Sequence, residues 1–291
     1  MKKRILVVFT AITLALPSFA WEFPGFEWNV GADVTSSYLW RGLNFGGLAL
    51  QPDLMVGYGG LQLETWANLS PADWTFKPLP DYESAFVPEL DLTLSYRIFG
   101  FKVGLTHMYY FDGSKFLDVR KVPSLEDYNN GNYGGHQTEV FAEFNLDEIV
   151  EELPLHIGWY TFILGDDYIE IYDDDDNLTG IKRAYSSYFD VSYQFGLPLG
   201  FSITPTVGMT PWKGMYNYYE ENFSVNNVSL KLNWEHEFTD HFAIDVYAQG
   251  MVNTAGINKD NVWPKLSQSY SMDYEKSRRL HFAVGVGIWF Y

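Results

Sequence analysis

The last twelve residues, Leu280 to Tyr291, alternate with a period of two. Phe282, Val284, Val286, Ile288 and Phe290 fall on one face, and His281, Ala283, Gly285, Gly287 and Trp289 on the other. This pattern marks a strand whose two faces meet different surroundings. One face is apolar and runs into the aromatic cluster Trp289-Phe290-Tyr291, while the other is mostly small or polar. A strand at a chain end frays, and a long apolar strand at a sheet edge invites aggregation. Both problems vanish if the first strand closes against the last. The stretch therefore predicts an all-β fold, an antiparallel transmembrane β-barrel with its apolar face outward.

Other segments bear on the same expectation. Lys2, Lys3 and Arg4 precede the apolar run Ile5 to Leu16, which is too short to span a bilayer as a mature helix, and Pro17-Ser18-Phe19-Ala20 supplies small residues before a cut. Residues 1–20 read as a signal peptide and 21–291 as one barrel domain. Removing three positive residues takes the formal charge from −18 to −21, the terminal amine aside. So acidic a surface argues against nucleic acid as a partner. Without cysteine there is no disulfide or thiol chemistry, and a hydrogen-bond ladder must hold the chain. Elsewhere no apolar run reaches the roughly 18 residues of a helical span. Aromatic residues make up 18% of the chain, an excess that girdles at both lipid–water boundaries would absorb. The soluble counterpart is an aromatic-rich β-sandwich.

Taken in order, twelve strands emerge. The first sets Trp28, Val30, Ala32, Val34, Tyr38 and Trp40 against Asn29, Asp33, Thr35 and Arg41, with a turn over Gly42 to Gly47. The fourth is the cleanest: Leu90, Leu92, Leu94, Tyr96 and Ile98 against Glu89, Asp91, Thr93, Ser95 and Arg97. The seventh places Leu155, Ile157, Trp159, Thr161 and Ile163 outward. In the ninth, Pro205 predicts a bulge or irregularity because it cannot donate to the ladder. Asn145 to Pro154 has room for a helical turn or two capped by Asn145. Links after even strands are short and links after odd strands mostly long, as in outer-membrane barrels with tight periplasmic turns and long external loops. The first external loop is the exception.

The inward acids are Asp33, Glu64, Glu89, Asp91, Glu139, Glu143, Asp190, Glu235 and Asp245, and the inward bases Arg41, Arg97, Lys102 and Lys231, which leaves the lumen at −5. Rings of carboxylates raise local cation concentration. The expectation is a porin-like channel for passive diffusion of small neutral or cationic solutes, lined by Asp33, Arg41, Glu64, Asp91, Arg97, Glu139 and Asp190. These residues filter and pair charge across the lumen. Twelve strands lie between a barrel filled by side chains and an aqueous channel, so a plugged, structural or loop-displaying barrel stays open as the alternative.

Catalytic and metal signals are weak. His107, His136, His156, His236, His241 and His281 are scattered, none beside a nucleophile elbow or at metal spacing. A membrane-embedded hydrolase is therefore the lesser reading, and no catalytic residue, metal or cofactor is expected. Asp173 to Asn177 is similar to an oxygen-ligand calcium loop, but Leu178 and Ala184 replace its glycine and its bidentate glutamate, so a solvated loop tip is expected. Tyr168, Tyr172, Trp212, Tyr216, Tyr218 and Tyr219 lie in external loops, where stacking on sugars and interface anchoring are both open.

Ser36-Ser37-Tyr38-Leu39-Trp40-Arg41-Gly42 resembles the first-strand element of a family of uncharacterised outer-membrane barrels of Bacteroidota-type bacteria. Gln51-Pro52-Asp53-Leu54, Arg183-Ala184-Tyr185-Ser186-Ser187-Tyr188 and Pro211-Trp212-Lys213-Gly214-Met215-Tyr216 extend the likeness over most of the chain. The resemblance implies a porin-like barrel in the cell outer membrane and supplies no catalytic residues. Its partners are then outer-membrane lipid and lipopolysaccharide, the barrel assembly machinery, and small solutes. Interface anchoring and turn formation are the plain explanation of the aromatic–Arg–Gly elements. The closing strand departs from the usual barrel ending, since Tyr291 lies one residue beyond the lipid-facing Phe290.

Overall fold

The computed structural model describes residues 25–45, 47–69, 89–110, 116, 122–130, 136–217, 219, 222–254 and 280–291. The predicted signal segment 1–20, most of the predicted long loops 70–88, 111–135 and 253–276, and Tyr218 lie outside them.

Twelve strands form the wall: β1 Phe26–Thr35, β2 Ala49–Tyr58, β3 Leu61–Asn68, β4 Glu89–Ile98, β5 Phe101–Tyr110, β6 Gln137–Asn145, β7 Leu155–Gly165, β8 Ser187–Tyr193, β9 Phe201–Thr210, β10 Ser224–Thr239, β11 Phe242–Val252 and β12 Leu280–Phe290. Each pairs antiparallel with its sequence neighbours, and β12 closes on β1 from Val30↔Phe290 to Thr35↔Gly285. Closure removes every sheet edge, which a wall facing lipid requires. The outward faces are apolar and uncovered: Leu61, Leu94, Phe101, Leu230, Phe282 and Val284 are all exposed. Aromatic residues concentrate at the end with the short turns, where Phe101 meets Phe144 at 4.6 Å and Phe242 meets Phe290 at 5.0 Å between ring centroids. Towards the long-loop end Trp159 lies 6.0 Å from Phe189.

The small face of β12 has a physical reason. A Cβ on Gly285 would fall 2.4 Å from the Tyr247 ring, and one on Gly287 would fall 2.0 Å from Asp245 Oδ1 and 2.4 Å from Asp33 Oδ1. The large luminal side chains of β1 and β11 lie across these glycines, as aromatic and polar neighbours do in curved sheets.

Departures from strict alternation are local. In β7, Thr138 pairs with Leu164 while Glu139 pairs with Phe162, so Ile163 is an extra, bulged residue and Leu164, not Ile163, ends the outward row. Opposite Pro205 the β8–β9 ladder is interrupted: Ser192↔Thr206 and Phe195↔Ile203 pair, and the residues between do not. A true bulge lies further on, where Asn226 of β10 has no partner between Gly208↔Asn227 and Met209↔Val225. After β6 a single 3-10 turn, Leu146–Glu148, follows Asn145 as expected, but the Asn145 side chain does not cap it. Its Oδ1 lies 2.8 Å from His156 Nδ1 instead. The acidic stretch after β7 is more ordered than its composition suggests, for Tyr168–Tyr172 and Leu178–Arg183 form a hairpin of their own. A short helix, α1 Leu125–Asn129, is capped by Ser124 and joined to that hairpin by Tyr128, whose hydroxyl donates to Glu170 Oε1 at 2.6 Å.

Candidate functional site

The first strand ends five residues earlier than its alternation suggests, and the reason is local. The Ser36 amide donates to the Val284 carbonyl at 2.8 Å and Ser36 Oγ accepts from the Val284 amide at 2.9 Å, while Thr35 Oγ1 donates to the Ser37 carbonyl. These bonds turn the chain off the wall. Tyr38 and Trp40 therefore do not continue an outward row. Leu39–Trp40 pairs with Leu43–Asn44 in a small hairpin, and Arg41 (φ 47) and Gly42 (φ 87) both hold the left-handed conformation of a tight two-residue turn. A non-glycine residue there is strained by about 1–2 kcal/mol, so its side chain must be held by what surrounds it.

The hairpin folds into the barrel. Asn44 Nδ2 lies 3.3 Å from His281 Nδ1 on β12, Asn253 Nδ2 donates to the Gly42 carbonyl at 2.9 Å, and Asn226, released from pairing by its bulge, donates to the Arg41 carbonyl at 3.2 Å. On the far side Tyr38 packs against Trp66 at 5.3 Å. The exceptional brevity of the first external loop follows, because its chain is inside the lumen.

At the tip, the Arg41 guanidinium forms a two-armed ion pair with Glu139, the Nη2–Oε1 arm at 2.9 Å, and its Nη1 donates to the Tyr216 hydroxyl at 2.8 Å. It lies 3.7 Å from the Tyr160 ring centroid and 4.5 Å from that of Trp40. Planar, bidentate and stacked, this is an arrangement that lysine cannot copy. Glu139 is 2% exposed and Tyr216 fully buried. Tyr216 comes from the 3-10 turn Met215–Asn217 of a second loop that bends inward, and it stacks on Phe162 and contacts Tyr188 at 5.3 Å. Ser186 Oγ accepts from the Met215 amide at 2.7 Å. Three of the four stretches on which the family resemblance rests thus converge in one buried cluster. Interface anchoring does not explain Trp40, Tyr188 or Tyr216, which point inward.

Below the hairpin tip lies a luminal chamber of about 190 Å³ bounded by Arg41, Glu64, Trp66, Asp91, Glu139 and Tyr160, among others. Lys102 Nζ stands 3.7 Å from Glu64 Oε2, and Tyr160 donates to Glu143 Oε1 at 2.8 Å. One oxygen of Asp91 is shut off from solvent and has no hydrogen-bond partner among the described residues. The chamber gathers Arg41, Glu64, Asp91 and Glu139 from the seven predicted lining residues. The other three stand apart. Arg97 is at the short-turn mouth, paired with Glu27 at 3.1 Å. Asp190 faces His156 Nε2 at 3.5 Å. Asp33 lies beside Asp245 over Gly287. Three acids with inward parity escaped the sequence reading. Glu27 precedes the first clear alternation, Asp53 hides behind Pro52, and Glu237 lies beyond the last clear alternation of β10. Asn226 had no signal at all, since only the bulge aims it inward.

The rim beyond β7 is tied by Asp167, which accepts from the Ser186 amide at 2.9 Å, from the Ser186 hydroxyl and from the Tyr219 hydroxyl. Burial pushes the Asp167 carboxyl up, while its bonds from Ser186 pull the other way. Asp166 beside it is pushed up to about 7 by burial first and then by the Asp167 charge. Asp173 behaves in the opposite sense. Its carboxylate accepts from the Asn177 and Asp175 amides at 2.9 and 3.0 Å, which holds it below the usual range. Those bonds close its own turn, as expected of a solvated loop tip. Of the loop aromatics, Trp212 remains partly exposed and donates to the Tyr185 carbonyl at 2.8 Å.

Two of the histidines are held in local contacts. Both ring nitrogens of His156 are engaged, by Asn145 and Asp190. His107 lies 3.0 Å from Thr138 Oγ1 and 2.7 Å from the Phe116 carbonyl, but Thr138 is buried.

No protein-family profile and no curated protein matches the sequence. Among solved structures the chain is similar to the KdgM porin, at 7% identity and a TM-score of 0.41, covering 90% of this chain and 98% of that one. It is similar also to an outer membrane channel from Pseudomonas putida F1, at 9% identity and a TM-score of 0.42, covering 92% and 96%. A third is the CymD monoaromatic hydrocarbon channel, at 9% identity and a TM-score of 0.38, covering 91% and 87%. Likeness of this order says nothing of solute, selectivity or partner.

Proposed function

We propose that the chain is a porin-like channel of the cell outer membrane for passive diffusion of small neutral or cationic solutes, narrowed at its outer end by the Leu39–Asn44 hairpin. One observation carries the reading. Asp33 and Asp91 both have inward parity, and each keeps one oxygen that is buried and unpartnered among the described residues. A carboxylate left so in a dry interior costs several kcal/mol, and side chains serving only to fill a barrel would be paired or apolar. The rest of each carboxyl group is part-exposed on the inward face, where water or a cation answers its charge, which supports a wet lumen. With Glu27, Asp53 and Glu237 added, the luminal balance moves from −5 to −8, a field that favours cations and disfavours anions. The uncovered apolar wall supports lipid, with lipopolysaccharide at the long-loop rim, as its surroundings, and a barrel of this kind calls on the assembly machinery for insertion.

The inserted hairpin favours a second reading, a barrel that is closed and displays its loops. Single-channel conductance of the refolded mature protein in a planar bilayer under a salt gradient separates the two. Discrete steps with cation preference are expected. A folded barrel that stays silent would overturn the channel.

A further inference from the structure

The chamber under the Arg41–Gly42 turn has two kinds of wall. Among the described residues its charged groups are matched with one exception: Arg41 holds Glu139, Lys102 stands by Glu64, and Glu143 receives the Tyr160 hydroxyl. The exception is Asp91. Its neighbours across the sheet, on the same luminal face, are Trp66 on β3 and Met108 on β5. A carboxyl group with one oxygen unpartnered among the described residues therefore stands between an indole and a thioether, with Trp40 and Phe141 also lining the space.

We propose that this chamber is a binding site for a small organic cation, an ammonium head on a compact hydrocarbon body, with its charge on Asp91 and its body against Trp66. Four carboxylates against two bases turn away anions. Among the described residues no cluster of three or more metal-ligating side chains surrounds the space, and its indole, phenyl and thioether walls are poor replacements for a metal ion's water. A neutral solute leaves the Asp91 charge uncompensated. An alkylammonium ion answers both walls at once, since its charge neutralises the carboxylate and its polarised methyl or methylene groups lie on the ring face. At about 190 Å³ the chamber is smaller than the 300–1,000 Å³ of drug-sized sites, which limits the ligand to a handful of heavy atoms. Choline has the right size and charge to serve as probe.

The inference rests on the channel reading only in that the solute reaches the chamber through the lumen. Equilibrium binding tests it separately. Calorimetry on the full refolded barrel in a non-ionic maltoside micelle compares choline with 3,3-dimethylbutan-1-ol, which has the same shape without charge. Saturable choline binding is expected, at least tenfold weaker for the alcohol and at least tenfold weaker in Asp91→Asn and Trp66→Leu. Asp173→Asn, at the solvated loop tip and outside the chamber, leaves it unchanged. Heat-dependent gel mobility reports the folding of each variant, and if Asp91→Asn does not fold, choline against alcohol on the wild type still decides. Absence of choline binding, equal binding of the alcohol, or full binding by a folded Asp91→Asn would overturn the site. A barrel that binds choline but is silent in a bilayer keeps the site and loses the channel, while one that conducts without binding choline does the reverse.

Discussion

Arg41 and Glu139 lie 98 residues apart in the sequence and close on each other as a two-armed ion pair inside the barrel. One partner is on the Arg41–Gly42 turn and the other on β6 of the wall, so the pair fastens the inserted hairpin to the barrel. Removing one partner of a buried pair costs about 3–5 kcal/mol, because the other charge is left uncompensated. Glu139→Gln is therefore expected to release the hairpin while Arg41 remains in place as a trypsin site. Limited trypsin digestion of the folded variant should cut after Arg41 at least tenfold faster than the wild type, a difference of about 1.4 kcal/mol in opening, well within that cost. Equal resistance of the two proteins would mean that the ion pair is not what holds the hairpin.

Gly42 offers a backbone test of the same seat. A Cβ there would lie 2.2 Å from the Asn226 carbonyl oxygen, which is main chain and cannot swing aside, and φ 87 is itself unfavourable for alanine. Gly42→Ala should weaken the seat by about 2 kcal/mol or more, counting about 1–2 for the conformation alone. Hydrogen exchange of the Leu39–Asn44 amides should then rise at least thirtyfold, with strand amides such as those of β6 little changed. Uniform acceleration through the barrel would show instead that the hairpin and wall unfold together.

The wall was legible from the sequence because each strand is two-faced. Period-two alternation gave all twelve strands, and the segregation of short from long links gave the closure, since an apolar outer face and a polar inner face impose that pattern on every strand alike. What sits in the lumen was hidden for the same reason. Tyr38 and Trp40 continue the parity of β1, and nothing in parity reveals that Ser36 turns the chain off the wall through its bonds to Val284. Arg41 was read as an inward base and is one, but from a turn. Its partner Tyr216 and the bulged Asn226 depend on tertiary contacts that no local pattern encodes. The repeated aromatic and glycine stretches were visible as elements, and their meeting was not.

Luminal charge is expected to set selectivity unequally. Glu139 is neutralised by Arg41, whereas Asp91 has an unpartnered oxygen and Glu64 only a 3.7 Å contact with Lys102. Glu64→Gln combined with Asp91→Asn should move the reversal potential in a tenfold salt gradient towards zero by ten millivolts or more, on the order of a fifth of the full one-electron value of 59 mV. An unchanged reversal potential would remove these two residues from the filter.

The rim carries a pH dependence whose sign follows from burial. Asp166 sits just past β7, where its carbonyl accepts from Gln137 Nε2 at 2.6 Å, with Asp167 and Arg183 as the charged groups acting on it. Burial and the Asp167 charge raise it from 3.8 to about 7, against the opposing pull of Arg183. The folded rim thus holds the Asp166 proton more tightly than the unfolded chain does. That contribution to stability is complete below pH 4 or so and is lost as pH rises through about 7, where the buried carboxyl must ionise beside another carboxylate. Protection factors for the Tyr168–Arg183 hairpin, corrected for intrinsic exchange, should therefore be several-fold lower at pH 8.5 than at pH 5.5. Asp166→Asn should flatten that dependence at the higher level of protection. A variant that keeps the wild-type slope would assign the titration to another group.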